Sequence, residues 1–135
     1  MSSDIAEIKD HLITALRTLS LPVDDVNVVV KKRSKCFWGR YYDYGTSKDR
    51  RPRIIIYALK LGCDEPYSNS ILLYNSIHEM VHYIQYHDPK FIRKKGVMHD
   101  ADFYSLLNKY SKRAERRGLI DMKEVRDVFA KESVG

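Results

Sequence analysis

Two histidines four residues apart, with a glutamate beside the first, are the residues of this chain whose types and spacing could do chemistry. They occur in the run His78-Glu79-Met80-Val81-His82. On an α-helix, positions i and i+4 lie one above the other on the same face, so both imidazoles could bind one metal ion. Neutral imidazole is a good zinc ligand, and a catalytic zinc normally takes three protein ligands and leaves a fourth position to water. The spacing therefore predicts two ligands of a Zn²⁺ site.

Glu79 is predicted to be a general base and not a ligand. It lies about 100° round the helix from His78, close enough to reach a water molecule on the ion. Zinc lowers the pKa of such a water toward about 7, so a carboxylate can take its proton at neutral pH. The pattern thus indicates a metal-dependent hydrolase. The alternative is an amphipathic helix whose histidines are ordinary surface or core residues.

The helix that carries the motif is predicted to be central and buried. Apolar side chains between Ile71 and Tyr86 occupy almost every side of it. Ser68 or Asn69 can cap its start, and Asp88 stands before a proline that ends it. A glutamate in such a helix needs compensation, because an unpaired buried charge is costly, and a divalent cation supplies that compensation.

His99 is the predicted third ligand. It follows a loop long enough to turn the chain back, and it precedes a helix for which Asp100 can serve as N-cap. His11 lies on the first predicted helix, and His87 points well away from the histidine pair. The carboxylates that remain alternatives for the third ligand are Asp102, Glu115 and Glu124.

The other elements predict an α+β fold with an N-terminal helix, a small three-stranded sheet, the central helix and two C-terminal helices. The first helix is expected over residues 4–19, and β-branched or aromatic runs predict strands at 26–30, 37–44 and 53–57. No connection between the strands is long enough for a crossover helix, so the sheet is predicted to be antiparallel. Asp121, with Glu124 three residues on, is expected to begin the last helix.

Length and composition indicate one domain over residues 1–135. The chain has 44% apolar residues and two cysteines, Cys36 and Cys63, which do not form a C-x-x-C pair. A disulfide framework is therefore not expected. No signal-peptide core and no stretch long enough to span a bilayer is found, so we expect a cytoplasmic protein without membrane contact. The sequence does not indicate an oligomeric state.

The net charge of +6 comes from clusters of lysine and arginine. Such clusters can bind phosphate backbones, and the first two flank an aromatic run that could stack on unpaired bases. The competing interpretation is that these aromatics alternate along a strand and pack in the core. The basic clusters lie at residues 31–35, 48–53, 93–95 and 112–117, and the aromatic run is Phe37, Trp38, Tyr41, Tyr42 and Tyr44.

The order of these elements and motifs resembles the SprT-like zinc metallopeptidases, including Spartan and the related WLM group. Those families carry H-E-x-x-H and then a third histidine in an H-x-x-x-F segment that opens a helix, which matches His99 and Phe103. The resemblance covers roughly residues 4–118. It implies a zincin-like minimal metallopeptidase domain with Zn²⁺ on His78, His82 and His99.

The resemblance also implies that Glu79 acts as base and acid in peptide-bond hydrolysis, on a protein or peptide substrate attached to or near DNA. The sequence departs from the family in having no zinc-ribbon C-x-x-C, so any nucleic-acid contact would have to come from the basic clusters. It also has Asp100 where the family has glycine. Side chains considered for stabilising the oxyanion are Tyr104, Tyr83 and Arg93.

Two other functions are consistent with the motif. The chain could be a DNA- or protein-binding module whose zinc site is structural or vestigial. It could also be a deformylase-like hydrolase, since Gly62-Cys63 superficially resembles the cysteine segment of that family. Cys63 is close in sequence to His78, and the glycine-rich motif of that family is missing, so the peptidase is the preferred prediction.

Overall fold

A computed structural model of the chain describes residues 2–32, 38–60, 64–88, 90 and 99–132. Within these residues the fold is α+β, as predicted, with four helices and three strands. A short 3₁₀ helix at Val23–Asp25 joins the first helix to the first strand. In chain order the elements are α1 (Ser2–Thr18), β1 (Asn27–Lys31), β2 (Gly39–Tyr42), β3 (Arg53–Tyr57), α2 (Asn69–His87), α3 (Ala101–Arg116) and α4 (Met122–Glu132).

The sheet is mixed, so the prediction of an antiparallel sheet was wrong. Its order is β1-β3-β2; β2 runs antiparallel to β3, and β1 runs parallel to β3. A parallel pair needs a long connection, but that connection does not have to contain a helix. Here β2 itself carries the chain back toward the start of β3, so one strand of the sheet serves as the return path.

Alternation along the strands divides the sheet into an inner and an outer face. Val28 and Val30 of β1, with Ile54 and Ile56 of β3, belong to the hydrophobic core that they share with residues of α1 and α2. Strand pairing places Gly39 and Tyr41 of β2 in register with these core residues of β3, on the inner face. β2 is shorter than the predicted strand, and Phe37 lies outside the described residues.

The helix α2 is central and largely buried, as the sequence predicts. Its N-cap is Ser68, whose Oγ accepts a hydrogen bond from the backbone N–H of Ile71 at 3.4 Å. The helix ends before Asp88. It contacts β2 and β3 of the sheet, and it also contacts the helices α1, α3 and α4. Residues 78–82 are therefore held on the most enclosed element.

Aspartates cap the two C-terminal helices in the way that the sequence predicts. Asp100 is the N-cap of α3, and its Oδ1 accepts a hydrogen bond from the backbone N–H of Phe103 at 2.9 Å. Asp121 precedes α4, and its Oδ1 accepts from the N–H of Lys123 at 3.0 Å. Gly118, with a φ of 73°, stands just after α3, where the left-handed conformation favours glycine. Among the described residues no helix is both long and apolar enough to cross a membrane.

Candidate metal centre

Three imidazoles converge between the second half of α2 and the start of α3. His78 and His82 lie one helical turn apart on α2, and His99 stands two residues before α3. One nitrogen of each ring can be chosen so that all three atoms lie within 4.8 Å of one another. The ring centroids are 5.0 to 5.1 Å apart in every pair. The structure thus brings together the three histidines that the sequence predicts as ligands.

The spacing of these nitrogens fits a shared divalent ion. Two ligands at about 2.0–2.1 Å from a tetrahedral zinc lie about 3.3 Å from each other. The Nε2 atoms of His82 and His99 lie 3.2 Å apart. A donor set of three imidazoles suits zinc as well as other divalent transition metals. The geometry supports a metal site in which each histidine contributes one nitrogen.

The ring of Phe103 packs against all three histidines. Its side chain is fully buried, and the centroid of its ring lies 4.8 Å from that of His78 and 4.6 Å from those of His82 and His99. Because Phe103 lies in the first turn of α3, its burial fixes where this helix begins relative to α2. Because the ring of Phe103 is apolar, it does not compete with a ligand for the ring nitrogens of the histidines.

His78 is held in the neutral state that a metal ligand requires. Burial, together with the nearby His99, lowers the pKa of His78 to about 4. An imidazole with this pKa has a free nitrogen lone pair at neutral pH, so binding a metal does not require it to lose a proton. The burial of α2 therefore favours the state of His78 that could bind a metal ion.

Glu79 is buried beside the histidines and lies against β2. Its side chain is 7% exposed, and burial raises the pKa of its carboxyl to about 8. In the part of the chain that the structure describes, no hydrogen bond or ion pair to this carboxylate is found. A Cβ atom on Gly39 would lie 3.1 Å from the Oε2 of Glu79. The absence of a side chain at Gly39 thus makes room for the carboxylate.

The position of His99 is set by the residue that follows it. Asp100 Oδ1 accepts two hydrogen bonds, from the N–H of Phe103 and from the Nε2 of Gln85 at 2.9 Å. Gln85 is a buried residue of α2, so this aspartate joins the start of α3 to the helix that carries the other two histidines. The structure thus gives Asp100 a positional role.

The inner face of β2 contributes residues that sequence reasoning did not assign to the site. The ring of Tyr41 is nearly parallel to that of His82, with centroids 6.4 Å apart. Its hydroxyl donates to Asp43 Oδ1 at 3.0 Å, and His87 Nε2 is 2.8 Å from the same oxygen. Burial, helped by this hydrogen bond, raises the pKa of Tyr41 well above its usual value. Two-residue alternation indicates that Gly39 and Tyr41 share one face of β2, but it does not indicate that this face meets α2.

The other candidates from the sequence do not join the cluster. Asp102 and Glu115 are exposed on α3, whereas Glu124 accepts a hydrogen bond from Ser68 Oγ. The ring of Tyr104 lies 6.2 Å from that of His99 and is half-exposed, and the ring of Tyr83 lies between those of Tyr41 and His87. The candidates outside the described residues are Arg93, Gly62, Cys36 and Cys63.

Comparisons of the chain with protein-family models, with curated proteins and with solved structures found no match.

Proposed function

We propose that the chain is a zinc-dependent peptidase of the SprT-like type, with Zn²⁺ on His78, His82 and His99 and with Glu79 as general base. The observation that carries this proposal is the convergence of the three imidazoles beside a buried carboxylate. A buried carboxylate without a partner is costly, and a cation in the neighbouring cluster would offset that cost.

The donor set favours a catalytic site over a structural one. A structural zinc is closed by four protein ligands, whereas a catalytic zinc has three and leaves one position open. Of the residues that the structure describes, three converge here, and His99 is exposed. A binding module with a structural zinc would need a fourth protein donor at this point.

Zinc held by these histidines would supply a Lewis acid that activates water and polarises a carbonyl group. Glu79 would accept the proton of the attacking water on a carboxylate oxygen and pass it to the leaving amide nitrogen. The lack of a side chain at Gly39 leaves room for the carboxylate of Glu79. This carboxylate is buried between α2 and β2 and is therefore largely shielded from bulk water. Phe103 and Asp100 hold the imidazoles in place.

A peptide is the substrate that best fits the surroundings of the cluster. β2 pairs with β3 along one edge, and in the described part of the chain no strand lies along its other edge. An extended peptide can add to such an edge through main-chain hydrogen bonds. Because the inner face of β2 carries Gly39 and Tyr41, a peptide there would lie beside Glu79 and His82. The family resemblance suggests proteins bound to DNA as the source of this peptide.

The replacement Glu79→Gln tests the proposal. The amide keeps the size of the side chain but cannot accept the proton, so we expect the variant to bind one zinc per chain and to lose about 10²- to 10⁴-fold in cleavage rate. Zinc content would be measured by metal analysis, and cleavage on an unfolded protein such as casein. Glu115→Gln is the matched control, because Glu115 is exposed on α3, and it should keep the wild-type rate.

An equal cleavage rate for Glu79→Gln and the wild type would refute Glu79 as the base. Zinc binding with no cleavage of any protein by the wild type would favour the binding module instead.

A further inference from the structure

The outer face of the sheet carries alternating arginine and tyrosine side chains. Arg40 and Tyr42 of β2 point away from the core, opposite to Tyr41, because successive residues of a strand face opposite sides. Tyr44 follows on the same side, with its ring centroid 5.5 Å from that of Tyr42. Arg53 of β3 is paired with Tyr42. We call Arg40, Tyr42, Tyr44 and Arg53 the Arg-Tyr strip.

The planar groups of the Arg-Tyr strip are stacked in sequence. The guanidinium carbons of Arg40 and Arg53 lie 4.9 Å and 4.7 Å from the ring centroid of Tyr42. Two cations therefore contact this ring. The guanidinium of Arg53 is also 5.4 Å from the ring of Tyr44 and donates to its carbonyl oxygen. These contacts hold the side chains in fixed orientations, while Tyr44 remains 62% exposed.

A basic loop with a defined conformation continues the strip. The N–H of Thr46 donates to the carbonyl of Asp49 at 2.7 Å, and Gly45 allows this turn, since a Cβ there would lie 2.1 Å from the same oxygen. Arg51 binds the carboxylate of Asp49 at 2.6 Å. The loop leaves Lys48 and Arg50 exposed. A pocket next to Tyr44 is lined by Tyr44, Gly45, Thr46, Ser47 and Arg50.

From these features we infer that the Arg-Tyr strip and this loop bind single-stranded nucleic acid. Exposed aromatic faces stack on unpaired bases, and guanidinium groups bind phosphate and also stack. A duplex would offer its phosphates but not its base faces, so the exposed ring of Tyr44 specifies a single strand. An acidic peptide would form ion pairs with the basic side chains but would not stack on the tyrosine ring.

The strip lies on the opposite face of β2 from the metal centre. Tyr42 points outward and Tyr41 inward toward His82, so a strand bound to the strip would leave the histidine cluster open. Binding of nucleic acid would therefore be independent of zinc and of Glu79. Together with the proposed function, this inference would place the peptidase centre and the bound nucleic acid on opposite faces of β2.

The test is fluorescence anisotropy of labelled oligothymidylate and oligouridylate with the full chain. Tyr44→Ala should weaken binding by roughly 5- to 150-fold, which corresponds to about 1–3 kcal/mol of stacking on a base. Tyr86→Ala is the matched control, because Tyr86 is 49% exposed on α2, away from the strip, and it should bind as the wild type. Preference for one oligonucleotide would tell DNA from RNA.

A salt titration measures the contribution of the basic loop to phosphate binding. If Lys48 and Arg50 each contact one phosphate, the double replacement Lys48→Ala with Arg50→Ala should reduce the slope of log K against log salt by about 1.4. Arg126→Ala on α4 should leave the slope unchanged. Equal binding by Tyr44→Ala and Tyr86→Ala, equal affinity for duplex, or equal competition by polyglutamate would overturn the inference. Nucleic-acid binding by a wild-type chain that binds zinc but cleaves no protein would refute the proposed function and leave this inference standing.

Discussion

Glu79 is the residue whose environment demands an explanation. Carboxylates are seldom buried unless they are paired, and this one is 7% exposed on the central helix. Burial alone raises its pKa to about 8, so without a positive neighbour it would be mostly protonated at neutral pH. A divalent cation held by His78 and His82 would favour the charged form. Such an ion would therefore couple the proposed ligands to the proposed base.

Gly39 is expected to be needed for catalysis although it has no side chain. In Gly39→Ala the new Cβ would lie 3.1 Å both from Glu79 Oε2 and from the carbonyl oxygen of Ile55, so the carboxylate would have to move. A displaced base should lower the cleavage rate about 10- to 100-fold. Zinc content should stay at the wild-type value. Steady-state cleavage kinetics and metal analysis would measure the two quantities.

Gly118→Ala is the control for lost stability. Nothing lies within 4 Å of a Cβ at Gly118, but its φ of 73° makes alanine unfavourable there by about 1–2 kcal/mol. This variant should be less stable yet cleave at the wild-type rate. If Gly118→Ala loses as much activity as Gly39→Ala, the effect reflects stability and not the placement of Glu79.

At the scale of elements, the start of α3 decides where the third ligand lies. Asp100 caps this helix and binds Gln85 of α2. We expect Asp100→Ala to lower the free energy of unfolding by about 0.5–2 kcal/mol through the lost cap. Zinc affinity should also fall at least about tenfold, because His99 loses its fixed position. Denaturant unfolding and competition with a zinc chelator would measure both effects.

Asp121→Ala is the matched control, since Asp121 caps α4 with the same kind of hydrogen bond. It should cost a similar free energy of unfolding and leave zinc affinity unchanged. Equal loss of zinc affinity in both variants would show that Asp100 acts through general stability alone.

The elements also show where prediction from sequence worked and where it failed. The span of β3 was predicted in full, because three isoleucines and a tyrosine in a row are typical of a buried strand. The pairing of β1 with β3 was not predicted, because strand order depends on contacts between residues far apart in the chain. For the same reason the two faces of β2 could be expected from alternation, but which of them meets α2 could not.

At the scale of the whole molecule, metal binding should be linked to folding. Two of the histidines lie on α2 and the third stands just before α3, so an ion that binds all three stabilises only the folded chain. Free zinc about 100-fold above its Kd should add about 2.7 kcal/mol, which corresponds to a rise in Tm of roughly 10 °C for a chain of this size. His82→Ala should abolish this rise. Thermal unfolding with zinc and with a chelator would measure it.

The control is His87→Ala. His87 lies five residues beyond His82 and contacts Asp43 instead of the cluster, so this variant should keep the full response to zinc. A wild-type Tm that does not depend on zinc, or an equal loss of response in both variants, would contradict the assignment of the ligands.

The sequence by itself determined the candidate pair His78 and His82, because their i, i+4 spacing is a local property of any helix. It also determined the cap Asp100 and the burial of α2, which follow from neighbouring residue types, whereas it left the cap of α2 open between Ser68 and Asn69. Only the tertiary structure decided that His99 meets the pair and that Gly39 and Tyr41 stand beside it. These contacts join segments that are distant along the chain, and they form only once the sheet and the helices pack on one core.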